Sequence, residues 1–369
     1  MGKPIECLTH FDREEARGVS RRDFVKICTM AAASLGLPAW VGEKMAQAAA
    51  AGKLRPSVVW LHFQECTGCT ETLLRTTHPA LAELILDLIS LDYHETVSAA
   101  AGDQIEENLK NTIEANAGKF ICVIEGAIPT KDNGIYCKIG GRTALEIANE
   151  VAEKAAAIIA IGSCASFGGL AAADPNPTGA AGAPQVLKGK PVVTIPGCPP
   201  NPYNFLGVAL QYATLGSLPA LDELGRPAFA YARTIHEDCP RRPHFDAGRF
   251  AEKFGDQGHR DGYCLYRLGC KGPGTHANCS IQNFNEVGAW PVGVGHPCAG
   301  CTEQQHAFRT ALFTTIEIER PTPPDTYPPI EAKQGGIGTL AVGFAGLVGG
   351  ALLGAGYATS RKLGEEKEK

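Results

Sequence analysis

Pro56-Ser-Val-Val-Trp-Leu-His-Phe-Gln-Glu-Cys-Thr-Gly-Cys-Thr-Glu71 runs from an apolar stretch directly into a Cys-x-x-Cys turn. Val58 to Phe63 reads as a first β-strand, so Cys66 and Cys69 fall just past its carboxyl end. The same pattern recurs downstream. Ser90 to Ser98 reads as a second strand, Lys119 to Glu125 as a third, Ala156 to Gly162 as a fourth and Pro191 to Ile195 as a fifth. Amphipathic helices are expected between them at Pro79–Leu88, Asp103–Ala117 and Arg142–Ala155. Strands alternating with helices predict an α/β fold, a doubly wound parallel sheet of flavodoxin-like type, over residues 55–235. In such sheets ligands collect at the carboxyl ends of the strands. Cys164 follows the fourth strand and Cys198 the fifth, so four thiols distant in sequence converge on one sheet edge.

Beyond about residue 220 the periodicity fades and Gly, Pro, aromatic residues and cysteines become dense. His236-x-x-Cys239 is followed by Cys264 and Cys270, then by Cys279 and the pair Cys298-x-x-Cys301. Of fourteen cysteines, ten join one histidine in groups of four, four and three. That division suits two 4Fe–4S clusters and one 3Fe–4S cluster, because soft thiolates select iron–sulfur clusters, zinc or cuprous copper over hard ions. A row of clusters carries electrons. Residues 236–320 are too irregular for long regular elements, and metal binding there can act as folding free energy.

The 369-residue chain carries a formal charge of −5 and no basic stripe, which argues against nucleic acid as a partner. Ser20-Arg-Arg-Asp-Phe-Val-Lys26 precedes a weakly apolar stretch and small residues that end near Ala51, as in a twin-arginine export signal over residues 1–51. Export usually implies disulfides, yet disulfide frameworks serve small domains short of core. The twin-arginine route carries folded, cofactor-loaded proteins, so metal-type cysteine spacing agrees with it. Residues 321–333, rich in proline, read as a linker. Gln334 to Ser360 holds no charged residue and is long enough to span a bilayer as a helix. Arg361 and Lys362 follow it, which places the tail 361–369 in the cytoplasm and the body outside.

Three sets of motifs together carry a specific resemblance. Glu65-Cys-Thr-Gly-Cys-Thr-Glu71, Gly162-Ser-Cys-Ala-Ser-Phe-Gly-Gly169 and Pro196-Gly-Cys-Pro-Pro-Asn-Pro202 form one set. His236-Glu-Asp-Cys239 with Cys264-Leu-Tyr-Arg-Leu-Gly-Cys270 forms the second, and Cys279 with His296-Pro-Cys-Ala-Gly-Cys301 the third. The chain resembles the small, electron-transfer subunit of membrane-associated nickel–iron uptake hydrogenases, in the hydrogenase-2-like subgroup.

The resemblance implies that Cys66, Cys69, Cys164 and Cys198 hold a proximal 4Fe–4S cluster, nearest the nickel–iron centre of a separate large subunit. Cys279, Cys298 and Cys301 would hold a medial 3Fe–4S cluster, with Pro291 near its open corner. His236, Cys239, Cys264 and Cys270 would hold a distal 4Fe–4S cluster. No catalytic residue is expected on this chain. The implied partners are the large subunit (a heterodimer, or a dimer of heterodimers), ferredoxin-like and integral membrane electron acceptors, and the inner membrane at its periplasmic face. Gly68 stands where oxygen-tolerant relatives carry an extra cysteine, which implies an oxygen-sensitive enzyme. Cys7 and Cys28 fall in the signal; Cys122 reads as a core residue, and Cys137 as a thiol near the proximal ligands but unbound. Glu65 and Thr67 border the first ligand pair and either shape its loop or serve proton passage. Two rivals stand: the related cluster-bearing component of respiratory complex I, which lacks the second cluster region and an export signal, and an exported zinc scaffold.

Overall fold

The computed structural model describes residues 56–76, 89–282, 284 and 289–318, with a few positions before them (29, 40 and 42–44). The export signal, the helix expected at Pro79–Leu88, the proline-rich linker, the membrane span and the tail lie outside the described residues, apart from those few early positions. Among the described residues no helix is long and apolar enough to cross a membrane.

Five parallel strands make the central sheet: β1 (Ser57–His62), β2 (Ser90–His94), β3 (Ile121–Glu125), β4 (Ala157–Ile161) and β5 (Val192–Ile195). Their spatial order is β2-β1-β3-β4-β5 and every pairing is parallel. This 2-1-3-4-5 order is the flavodoxin-like arrangement. The sequence-based expectation of a parallel α/β sheet therefore holds, with the second strand clearly shorter than expected.

Alternation along each strand explains the two-sided core. Val58 and Trp60 face one side with Ile121, Val123, Ile159 and Val193. Val59 and Leu61 face the other with Cys122, Ile124, Ile158 and Ala160. A parallel sheet covered on both faces needs such near-continuous apolar strands. The first face is covered by α1 (Gly68–Leu74), through Leu73, and by the long apolar α5 (Pro202–Leu215), through Phe205, Leu206 and Val208. The second is covered by α2 (Asp103–Ala115) through Leu109 and Ile113, and by α3 (Ala144–Lys154) through Ile147 and Val151. Helix α3 starts at a capping box: Glu146 N–H donates to Thr143 Oγ1 (3.2 Å) and Thr143 N–H to the Glu146 carboxylate (2.8 Å). A short helix α4 (Gly162–Phe167) follows β4 directly.

Past α5 the described residues fold as turns and helices of three to five residues, as the loss of periodicity predicts. A third core cluster forms there around Ile235, Leu265, Leu268, Trp290 and Val292, and it includes Cys239, Cys270 and Cys298. Candidate metal ligands thus supply part of the packing themselves.

Candidate iron–sulfur sites

All twelve cysteines of the described residues are free thiols, so the disulfide alternative finds no support there. Ten of the twelve lie in three neighbouring groups.

The first group forms where β1, β4 and β5 end. Thr67, at φ 63°, turns the chain after Cys66 into α1, which carries Cys69. Glu125, the last residue of β3 and only 1% exposed, anchors that turn. Its carboxylate accepts hydrogen bonds from the amides of Cys69 (3.0 Å) and Thr70 (3.2 Å), from Thr70 Oγ1 (2.6 Å) and from Trp60 Nε1 (3.0 Å). Gly162 brings Cys164 in with φ +84°, and a Cβ there would stand 2.4 Å from Cys69 Sγ, so the close approach of the two loops requires glycine. Cys69 is raised by burial first and then by the negative charge of Glu125 and of Cys164, Cys198 and Cys66. Four thiols that repel one another on ionisation are a donor set suited to a polynuclear cation. Cys66 and Cys198 are exposed in the isolated chain.

The second group is enclosed. His236, Cys239, Cys264 and Cys270 line one small cavity together with Arg241, Tyr266 and Val292. Burial pushes the thiols of Cys239 and Cys264 up to about 11 and about 12. His236 Nε2 is buried and has no hydrogen-bond partner. Burial, and secondarily the charge of Arg242, lowers its pKa to about 4. A neutral imidazole with an orphaned nitrogen is what a metal ligand requires. The three-thiol, one-imidazole set fits a 4Fe–4S cluster on this observation.

The third group lies between the other two. Cys279, Cys298 and Cys301 are raised by burial first; Cys298 and Cys279 are raised further by the charge of Cys301, and Cys279 reaches about 12. Cys301 also neighbours Cys198 of the first group, whose amide donates to its sulfur and favours the thiolate, while the Cys198 sulfur repels it more weakly. Cys298 neighbours Cys270 of the second, and its amide donates to Cys270 Sγ at 3.3 Å. Ser163, beside Cys164, bonds through Oγ to the Cys301 carbonyl and accepts from Gly197 N–H (3.0 Å), tying first-group loops to the third. Pro291 is exposed; its carbonyl accepts from His296 N–H at 2.8 Å.

Other residues fall outside the groups. Cys122 is fully buried in β3, a core residue as expected. Cys137 packs half-buried against the second-face core. Its charged neighbours are Glu95 and Glu65 rather than the first-group thiols. Thr67 Oγ1 donates to Glu65 (3.4 Å), whose pKa is raised by burial and then by Glu125. A Cβ at Gly68 would stand 3.2 Å from Cys66 Sγ, so the place of the missing extra cysteine does adjoin the first group.

His62, Glu65 and Glu125 bring one donor atom each within 4.8 Å of the others. The Glu125 carboxylate is already occupied by four hydrogen bonds, so this trio is an anchoring network rather than a metal cage. Sequence reading missed Glu125. Its only signal was a carboxylate closing the apolar run Ile121-Cys-Val-Ile-Glu125.

Comparison with known proteins bears on these groups. Residues 66–212 match the family of the NADH ubiquinone oxidoreductase 20 kDa subunit, and residues 231–314 match the C-terminal family of the NiFe/NiFeSe hydrogenase small subunit. The second match removes the complex I rival. The hydrogenase-2 small chain of Escherichia coli (strain K12) is 50% identical over 356 residues, covering 96% of this chain and 95% of that one. The periplasmic [NiFe] hydrogenase small subunit 1 of Nitratidesulfovibrio vulgaris (strain Hildenborough) is 52% identical over 294 residues, 79% of this chain and 92% of that one. The crystal structure of the reduced, active Ni-Fe-Se hydrogenase from Desulfomicrobium baculatum matches with TM-score 0.67 at 34% identity, covering 71% of this chain and 100% of that one. With likeness of this degree over nearly its whole length, the chain belongs to the small-subunit family of nickel–iron hydrogenases, oxidoreductases whose nickel–iron site is on the separate large subunit.

Proposed function

We propose that this chain is the electron relay of a hydrogen-oxidising enzyme. It takes electrons from the nickel–iron subunit and delivers them to a membrane redox partner and the quinone pool. Bound iron–sulfur clusters would supply the one-electron carriers: 4Fe–4S at Cys66, Cys69, Cys164 and Cys198, 3Fe–4S at Cys279, Cys298 and Cys301, and 4Fe–4S at His236, Cys239, Cys264 and Cys270. The observation that carries the reading is the linear order of the groups, with Cys198 beside Cys301 and the Cys298 amide hydrogen-bonded to Cys270 Sγ. Exposure of Cys66 and Cys198 supports the first group as the end covered by the large subunit. The relatives include a quinone-reactive Ni/Fe-hydrogenase small chain from Wolinella succinogenes, 49% identical over 291 residues, which favours the quinone pool as destination. The twin-arginine signal and the apolar stretch 334–360 favour a chain exported to the periplasmic face and anchored there.

Isolation of the native complex from membranes tests the partners. The chain should co-purify with the large subunit and a membrane protein, and the complex should reduce quinone with H2. Reduction of artificial dyes without quinone reduction would contradict the proposed destination.

The open corner of the 3Fe–4S site has its own test. Pro291→Cys adds a thiolate where proline offers no ligand atom, and is expected to convert the cluster to 4Fe–4S with a lower potential. Electron paramagnetic resonance of the oxidised variant should then lose the 3Fe signal. An unchanged signal would place residue 291 outside the corner.

A further inference from the structure

We infer that Lys271 is the buried cation that sets the potential of the middle carrier, an inference that rests on the cluster reading above. Lys271 is 0% exposed, uncommon for a lysine. It directly follows the distal ligand Cys270, and its amide donates to the carbonyl of the medial ligand Cys298 at 2.8 Å. Its Cβ would lie 3.4 Å from a Cβ placed on Gly300, so the stem runs against the Cys298–Cys301 turn. The Nζ donates to the carbonyls of His306, Thr310 (3.2 Å) and Ala311 (3.0 Å). Three acceptors match the three N–H bonds of an ammonium, and none of them is a carboxylate. Among the described residues the positive charge therefore has no carboxylate partner. Among the thiols, the charge it registers is that of Cys298.

The second group has a cation of its own. Arg241 lines the distal cavity and registers the charges of Cys239, Cys264 and Cys270, its guanidinium held by the carbonyls of Val292 (3.1 Å) and Tyr263 (2.9 Å). The two cations, one fully buried and one partly buried, thus divide between two neighbouring sites. Reduction adds negative charge to a carrier, and a fixed positive charge nearby favours the reduced form. Lys271 would hold the middle carrier's potential up, and Arg241 the exit carrier's.

The test is a redox titration of the purified heterodimer, following the 3Fe signal by electron paramagnetic resonance in wild type, Lys271→Gln and Lys271→Arg. Gln keeps amide donors for the loop carbonyls but removes the charge; Arg keeps the charge. In K271Q the oxidised-to-reduced ratio of the middle carrier at a fixed potential should rise about tenfold, which is about 59 mV for a one-electron couple. K271R should stay near wild type, and the distal carrier should move less than the middle one in both. Equal shifts in the two variants, no shift in either, or a larger shift at the distal carrier would overturn the assignment. So would a K271Q protein that assembles without the middle carrier, which would leave Lys271 a folding role only. Absence of the 3Fe signal from wild type would instead refute the cluster reading itself.

Discussion

Glu125→Ala is expected to lose on the order of 3–5 kcal/mol of stability and to leave the first thiol group unable to hold its cluster. The carboxylate accepts four hydrogen bonds at the carboxyl edge of the sheet, two of them from the amides that open α1. Truncation strands those amides, the Trp60 indole N–H and the Thr70 hydroxyl in a buried setting, at about 1–3 kcal/mol for each group that finds no water. The Cys66–Cys69 turn would then lose its anchor, since Thr67 holds a left-handed backbone conformation that a bulky residue rarely adopts. Chemical denaturation of wild type, Glu125→Ala and Glu125→Gln checks it. Gln, which keeps one acceptor oxygen, should fall between the other two. A Glu125→Ala protein as stable as wild type, with its first cluster in place, would show that the network is dispensable.

Replacing Cys264 by Ala should break the relay at its exit while sparing the hydrogen chemistry. Loss of an outer partner of a metal ligand alone costs about 10–100-fold in affinity or activity, and loss of the ligand itself should cost at least that in H2-driven electron delivery. Hydrogen–deuterium exchange needs no electron to leave the enzyme. It should persist in the variant heterodimer, because the distal group is separated from the proximal one by Cys279, Cys298 and Cys301. Collapse of exchange in a correctly assembled heterodimer would refute the proposed order.

Much of this arrangement was legible in the residues. Ile121-Cys-Val-Ile-Glu125 and Ala157-Ile-Ile-Ala-Ile161 could be read as strands because a sheet buried on both faces admits few polar residues. Second-strand length was overestimated: Ser90–Ser98 pairs only through His94 with β1. The Cys-x-x-Cys and His-x-x-Cys spacings marked candidate ligand pairs locally, and strand ends predicted where Cys164 and Cys198 would lie. What stayed hidden was the supporting charge. Nothing in Gly269-Cys-Lys-Gly272 distinguishes a fully buried lysine from a solvated one, since burial there depends on the carbonyls of residues 306–311, more than thirty positions away. Arg241 and Glu125 are hidden for the same reason: their partners are set by tertiary contacts.

The central claim is that these eleven side chains hold two 4Fe–4S clusters and one 3Fe–4S cluster. Iron and acid-labile sulfide analysis of the purified heterodimer, combined with electron paramagnetic resonance of its oxidised and reduced states, tests it most directly. The account predicts iron and sulfide for all three clusters, a 3Fe signal in the oxidised protein that disappears on reduction, and 4Fe signals that appear with H2. Zinc in place of iron, or an oxidised protein with no 3Fe signal, would contradict it.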